Sequence, residues 1–312
     1  RSPSRGLGDV YKRQYQDSYF PCQYLLSSIK DCRSWKIIEV EHSSPSGFEI
    51  QYKEYVKSIP CWDIYHRFKS WFYYQKSLSN EKRNRRFIYG ICDKYVMLAE
   101  GLISQCQKYG HIDDNSKFEI IGNPISMDNS SATLSLKKKE CLFVGRLDSM
   151  KGIDKLMRIW AIVESRVKDW TLVIVGDGIM MPEVKNAIAH YRLEHVCLEG
   201  FQADVKRYYQ TASIFCMCSI YEGFPMVLPE AMGFGVVPIV FNSFAALDDI
   251  LVDGEDGVKV TAFDEEAYSE NLIAMISDDV RLKMMQSKAL ENSRKFCVSS
   301  ILEKWDELFK NL

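Results

Sequence analysis

The stretch YEGFPMVLPEAMGFG, residues 221–235, sets Glu222 and Glu230 eight positions apart in a run that is otherwise almost wholly apolar. An ionised carboxylate is costly to bury unless something pairs with it, so two of them in such a setting ask for partners. Upstream, in CLFVGRLDSMKG, Arg146 follows an apolar run and Lys151 comes five residues later. Taken alone, that spacing describes two solvated surface charges. Beside a helix N-terminus, a guanidinium and an ammonium make a strong site for a diphosphate. The Gly223-Phe224-Pro225 turn adds to this, with Pro225 in the first turn of the next helix. The amides of Phe224, Met226 and Val227 are then expected to face outward as an anion site. Glu230, more than one turn into that helix, is expected to reach the same crevice. Pro229 is expected to kink the helix, and Gly233 to Gly235 to close it with a left-handed cap. A lone glutamate there is explained as a helix-dipole partner; a pair flanking one helix mouth is not.

Such side chains need a scaffold, and the chain supplies an alternating one. Strand-like runs occur at WKIIEV (35–40), KYVML (94–98), FEIIG (118–122), CLFVG (141–145) and TLVIVG (171–176). They continue at HVCLEG (195–200), SIFCMCS (213–219) and VVPIVF (236–241). Helical stretches lie between the later ones, as at 153–168, where Leu156, Ile159, Trp160 and Val163 share a face. Short continuous β-branched strands alternating with helices imply a parallel α/β sheet covered on both sides. Gly145, Gly176 and Gly200 end strands, and ligands of such sheets bind beyond the carboxyl ends. SMDNSSATLSLKKKE (126–140) reads as a linker between two lobes. His42 follows a strand and precedes a Ser-Ser-Pro turn, which puts it at a strand end facing the crevice.

At 312 residues the chain can hold two domains. A net charge of -2 gives no global drive toward nucleic acid or anionic membrane, so any basic surface must be local. The ten cysteines lack metal spacing and several sit in apolar runs, which reads as reduced thiols in a cytoplasmic protein. No acidic pair has metal-ligand spacing, so no metal is expected. No apolar run reaches transmembrane length. The segment 64–89, IYHRFKSWFYYQKSLSNEKRNRRFIY, interleaves aromatics with Lys and Arg, and Glu81 is its only acid. Helices of this kind lie on anionic membranes or turn a solvated basic face over an aromatic contact, and both readings stay open. It carries no recognised nucleic-acid motif. Residues 1–14, RSPSRGLGDVYKRQ, lack the apolar core of a secretory signal. DVYKRQ resembles the in-frame translation of a transposon end used to prepare sequencing libraries, and 1–14 are expected to be a joining artefact outside the fold.

The run FVGRLDSMKG…LVIVGDG…CLEGF…CSIYEGFPMVLPEAMGFGVVPIV closely resembles the retaining glycosyltransferases of family 4, closely over 118–312 and more loosely over 15–117. The resemblance implies the GT-B fold, two Rossmann-like doubly wound parallel-sheet lobes. Residues 15–124 would form an acceptor-side lobe, expected to be incomplete because few residues precede His42. Residues 125–312 would form the nucleotide-sugar lobe. The final helix, with Ile301, Leu302, Trp305 and Leu308, would cross back to the first lobe, and IIGNPIS (120–126) resembles the family's hinge. By the same resemblance Glu230 binds the ribose of the nucleotide and Glu222 the hydroxyls of the transferred sugar. Arg146 and Lys151 neutralise the diphosphate, held also by the amides from Phe224 through Pro225 and Met226 to Val227. Gly145 and Gly223 also belong to the donor site, Gly200 and Phe201 border the base, and His42 lies near the donor sugar and acceptor. The family often has a Gly-rich turn where NSFAALDD follows VVPIVF here, so the donor sugar is left open. The implied activity is transfer of a hexose from a UDP- or GDP-sugar to a growing glycan, either cell-surface polysaccharide or lipid-linked oligosaccharide. A nucleotide-sugar epimerase on the same fold and a non-catalytic nucleotide-binding fragment are the alternatives.

Overall fold

The computed structural model describes residues 36–130 and 132–312; the reading of 1–14 falls outside these. β1 (Ile38–Glu41), β2 (Lys94–Met97) and β3 (Phe118–Ile120) form a three-stranded parallel sheet in that order. Their connections carry α1 (Gly47–Ser58), the long α2 (Ile64–Ile91) and α3 (Gly101–Gly110).

The second sheet has six parallel strands: β4 (Glu140–Val144), β5 (Thr171–Val175), β6 (Val196–Gly200), β7 (Ile214–Met217), β8 (Val237–Asn242) and β9 (Val258–Thr261). Its helices are α4 (Ile153–Arg166), α5 (Met181–Tyr191), α6 (Lys206–Thr211), α7 (Val227–Gly233), α8 (Leu247–Ile250), α9 (Glu265–Ser277), α10 (Asp279–Asn292) and α11 (Val298–Lys310). The strand order β6-β5-β4-β7-β8-β9 reverses direction between β4 and β7. A crevice opens outside the carboxyl ends of strands at such a switch point. The loops after β4 and β7 carry Arg146, Lys151 and Glu222.

The central strands β4, β5, β7 and β8 are largely buried on both faces, and side chains alternate between two apolar layers. Cys141, Phe143, Leu172, Ile174, Ile214, Cys216 and Ile239 pack with Leu156, Ile159 and Trp160 of α4. Leu142, Val173, Val175, Phe215, Met217 and Val240 face Tyr209, Leu228 and Met232. This second layer runs on into the first sheet through Met97, Leu98 and Leu102.

The structure departs from the sequence reading at β9 and at Leu302. β9, VKVT, had no strand signal in the sequence, yet it pairs with β8 along its length. The 126–140 linker docks on the second lobe: Asn129 Nδ2 donates to Gly233 O at 3.0 Å, and Lys137 Nζ to Tyr209 O at 2.8 Å. Burial pushes the Lys137 ammonium down to about 7. In α11, Ile301 and Leu308 pack on Val96 and Ile121 with Trp305 beside them, but Leu302 is exposed. Positions 301, 305 and 308 share a helix face, and 302 is turned about 100° from it. No helix among the described residues is long and apolar enough to cross a membrane.

Candidate active site

The loop after β4 is built around one glycine. Asp148 accepts the Lys151 N–H at 3.0 Å and starts a short 3-10 turn, Ser149–Lys151, which ends at Gly152 with φ +66. A Cβ at Gly152 would lie 2.0 Å from the Cys218 carbonyl oxygen, so no side chain fits there. That close approach seats the β4 loop against the end of β7, reinforced by Ile220 N–H donating to Met150 O at 2.8 Å. Lys151 consequently reaches across, and its Nζ lies 2.7 Å from Glu222 Oε1. Arg146 stands at the rim, largely exposed, with Nη2 3.2 Å from Asp148 Oδ2.

The turn after Glu222 differs from the sequence reading in three details. α7 begins at Val227 with Met226 as its cap, so Pro225 precedes the helix rather than lying in its first turn. Pro229 is then its third residue, where an N–H has no intrahelical acceptor, so the ring removes no bond that the helix needs. Glu230 lies in the first turn rather than beyond it. Leu228 N–H donates to Pro225 O and Glu230 N–H to Met226 O. The amides of Phe224, Met226 and Val227 have no partner among the described residues. The helix closes as expected, with Gly235 left-handed, its N–H on Met232 O and the Val236 N–H on Ala231 O.

Glu230 is partly buried, and Tyr209 donates its hydroxyl to Oε2 at 3.4 Å. Burial raises the Glu230 carboxyl above its ordinary range, only partly offset by that hydrogen bond. The Phe224 ring packs edge-on to Phe296 at 5.9 Å, so only its backbone can face a ligand. At the end of β6, Gly200 has φ +66 and Phe201 holds its ring in water, 77% exposed. Gly145 lies directly after β4, its N–H on Val175 O.

From the first sheet, His42 follows β1 directly and is exposed. Its neighbour Glu41 is buried, accepts from Tyr95 Oη at 3.0 Å and from Ser43 Oγ, and lies 3.6 Å from Arg85 Nη2. A Cβ placed on Gly223 would sit 3.1 Å from both His42 O and Ser44 N, so the two loops touch backbone to backbone. Gln51 Nε2 of α1 donates to Tyr221 Oη at 2.6 Å.

A cleft of about 310 Å³ opens at this junction, with Glu222 in its wall. Ser44, Ser46 and Gln105 line it from one side, and Asn242, Ser243 and Asp248 from the other. The sequence reading missed all six. SSPS beside His42 and NSFAALDD were visible as polar turns, but Gln105 sits mid-helix with no local signal. Lys151, Glu222, Gly223 and the His42 backbone are thus brought together, whereas Arg146 and Glu230 contact Asp148 and Tyr209. Among the described residues no cluster of His, Cys, Asp and Glu could hold a metal ion.

The family profile described as Glycosyl transferases group 1 matches residues 127–296, more than half of the chain. The chain belongs to the group 1 glycosyl transferases. This group 1 glycosyl transferase is 30% identical over 215 residues to an uncharacterized glycosyltransferase of Haemophilus influenzae, covering 69% of the present chain and 60% of that one. It is 28% identical over 229 residues to the amylovoran biosynthesis glycosyltransferase AmsD of Erwinia amylovora, covering 71% and 63%. The chain therefore spans about six-tenths of the length of these relatives. Among solved structures, Anabaena Alr3699/HepE in complex with UDP superposes with a TM-score of 0.73 at 16% identity, over 93% of this chain and 77% of that one. The outer-core galactosyltransferase WaaB gives 0.66 at 18% identity, over 93% and 79%. These likenesses show the GT-B fold in the group 1 glycosyl transferase.

Proposed function

We propose that this chain transfers a hexose from a UDP- or GDP-sugar to a growing glycan, with retention at the anomeric carbon as in family 4. The Lys151–Glu222 contact carries the reading. A cation suited to a diphosphate and a carboxylate suited to sugar hydroxyls lie 2.7 Å apart at the switch point, beside unpartnered amides. In this reading the bond from the anomeric carbon to the diphosphate oxygen breaks and its electron pair leaves with the nucleotide. Arg146, Lys151 and the amides of Phe224, Met226 and Val227 stabilise that growing charge. The acceptor hydroxyl attacks from the same face and gives its proton to the departing phosphate oxygen. Glu222 holds sugar hydroxyls and is not a covalent nucleophile. Glu230 takes the ribose, Gly200 and Phe201 border the base, and His42 stands where donor sugar and acceptor meet. No metal is required, because the cations balance the phosphate charge.

In this reading the division of labour follows the two lobes: residues 15–124 serve the acceptor and 125–312 the donor. The exposed rings of Tyr65, Phe68, Trp71 and Phe72, with Lys69 and Lys76 on the same helix and the Trp62 ring just before it, support a seat on an anionic membrane at the cytoplasmic face. A lipid-linked acceptor would be met there, and a Campylobacter jejuni relative is named for a diphospho-undecaprenol acceptor. Incubation with a panel of UDP- and GDP-sugars, with and without glycan acceptors, tests the function. Nucleotide release that rises with an acceptor supports it; sugar interconversion without release would show an epimerase, and absence of nucleotide binding would overturn the reading.

A further inference from the structure

We infer that Gln105 is a specificity-determining residue: its side-chain amide reads an oxygen of the neutral sugar ring bound beside Glu222. This rests on the proposed glycosyl transfer and identifies what selects the sugar. Ser44 Oγ and Ser46 Oγ each donate to Gln105 Oε1 at 3.0 Å and lie 3.0 Å from one another. The carbonyl end of the amide is thereby occupied and its plane is fixed. Nε2 has no acceptor among the described residues, and it is not among the buried unpartnered polar atoms, which belong to Arg85. It therefore meets open space in the cleft that Gln105 lines. The cleft then offers two N–H donors from one wall and the carboxylates of Glu222 and Asp248 from the other.

Interleaved donors and acceptors of this kind match the ring hydroxyls of a hexose, or the hydroxyls and acetamido oxygen of an N-acetylhexosamine. The walls contain no Lys or Arg; the adjacent Lys151 pairs with Glu222 and serves the diphosphate in the proposed reaction, and Lys259 pairs with Asp248. A uronic acid would thus find no unpaired cation. The lining excludes Arg146, Lys151 and Glu230, so the cleft extends from Glu222 away from the proposed diphosphate groups.

Gln105→Glu tests this because it keeps the side-chain shape and the serine donors but replaces the N–H groups with an oxygen. Wild type and variant are compared for UDP and GDP affinity by calorimetry, and for KM of nucleotide sugar and acceptor by nucleotide release. The expected result is a KM raised about tenfold for whichever substrate carries the sugar in this cleft, with nucleotide affinity and thermal midpoint unchanged. Gln105→Met, which removes the amide altogether and with it the acceptor of both serines, should raise the same KM and leave nucleotide affinity unchanged. Unchanged KM values in both variants would overturn the inference while leaving glycosyl transfer standing. Wild type that neither binds nor turns over nucleotide would overturn both.

Discussion

Lys151 Nζ and Glu222 Oε1 lie 2.7 Å apart, joining the loop after β4 to the loop after β7 through two side chains that are 29% and 15% exposed. The contact gives each residue a separate readout. Lys151→Met should weaken UDP or GDP binding by about 2 kcal/mol, as for a lost charge-assisted hydrogen bond. Glu222→Gln should spare free nucleotide and raise KM for the nucleotide sugar. Calorimetry on both variants checks this, and the opposite pattern would mean that the two roles are exchanged.

Arg146 stands 78% exposed, with Asp148 as its one ion-pair partner among the described residues. An exposed pair of this kind adds about 0–1 kcal/mol to stability, so Arg146→Ala should leave the thermal midpoint nearly unchanged. Its affinity for UDP or GDP should nevertheless fall by about 2–3 kcal/mol. An unaltered dissociation constant removes Arg146 from the diphosphate site.

Glu230 combines a binding role with a cost to the fold. Burial raises its carboxyl, so its contribution to stability is fully present below the unfolded value and is lost as pH rises through the folded one. Glu230→Gln should therefore stabilise the protein at neutral pH while weakening nucleotide binding. Melting curves paired with UDP titrations check both halves, and a variant that binds as well as wild type would take the ribose away from Glu230.

A second pH effect belongs to Glu39 on β1, whose carboxyl is pushed up to about 7, first by burial and then by the charge of Glu41. The sign is the same as for Glu230. Stability contributed by protonated Glu39 is complete below about 4.5 and disappears as pH rises through about 7. Glu39→Gln should flatten the fall in stability between about pH 5 and 8, which urea melts at several pH values measure.

Much of the sheet was written in local sequence. β4, β5, β7 and β8 are continuous apolar runs because layers cover both of their faces, so composition alone marks them. β9 escaped because VKVT alternates with Lys259, whose ammonium pairs with Asp248 at the edge of the sheet. Such a strand looks like a polar turn until its partner is known. Pro229 and Leu302 were misjudged for a related reason: a shift of one or two residues in where a helix starts, or which face it buries, changes what each position meets.

The sequence by itself marked the charged and glycine residues proposed for the donor site, since a strand ending in a short polar loop before a helix offers an anion site wherever it occurs. It did not determine how those residues pair. Only the tertiary structure brought Lys151 to Glu222, through a backbone approach at Gly152 that leaves no room for a Cβ. It also gathered Ser44, Ser46 and Gln105 opposite Asn242 and Asp248, residues far apart in the chain and individually unremarkable in type. Hydrogen-bond networks of neutral side chains leave no periodicity or composition bias behind. Their meaning arises where two sheets meet, and the local sequence on either side does not encode that meeting.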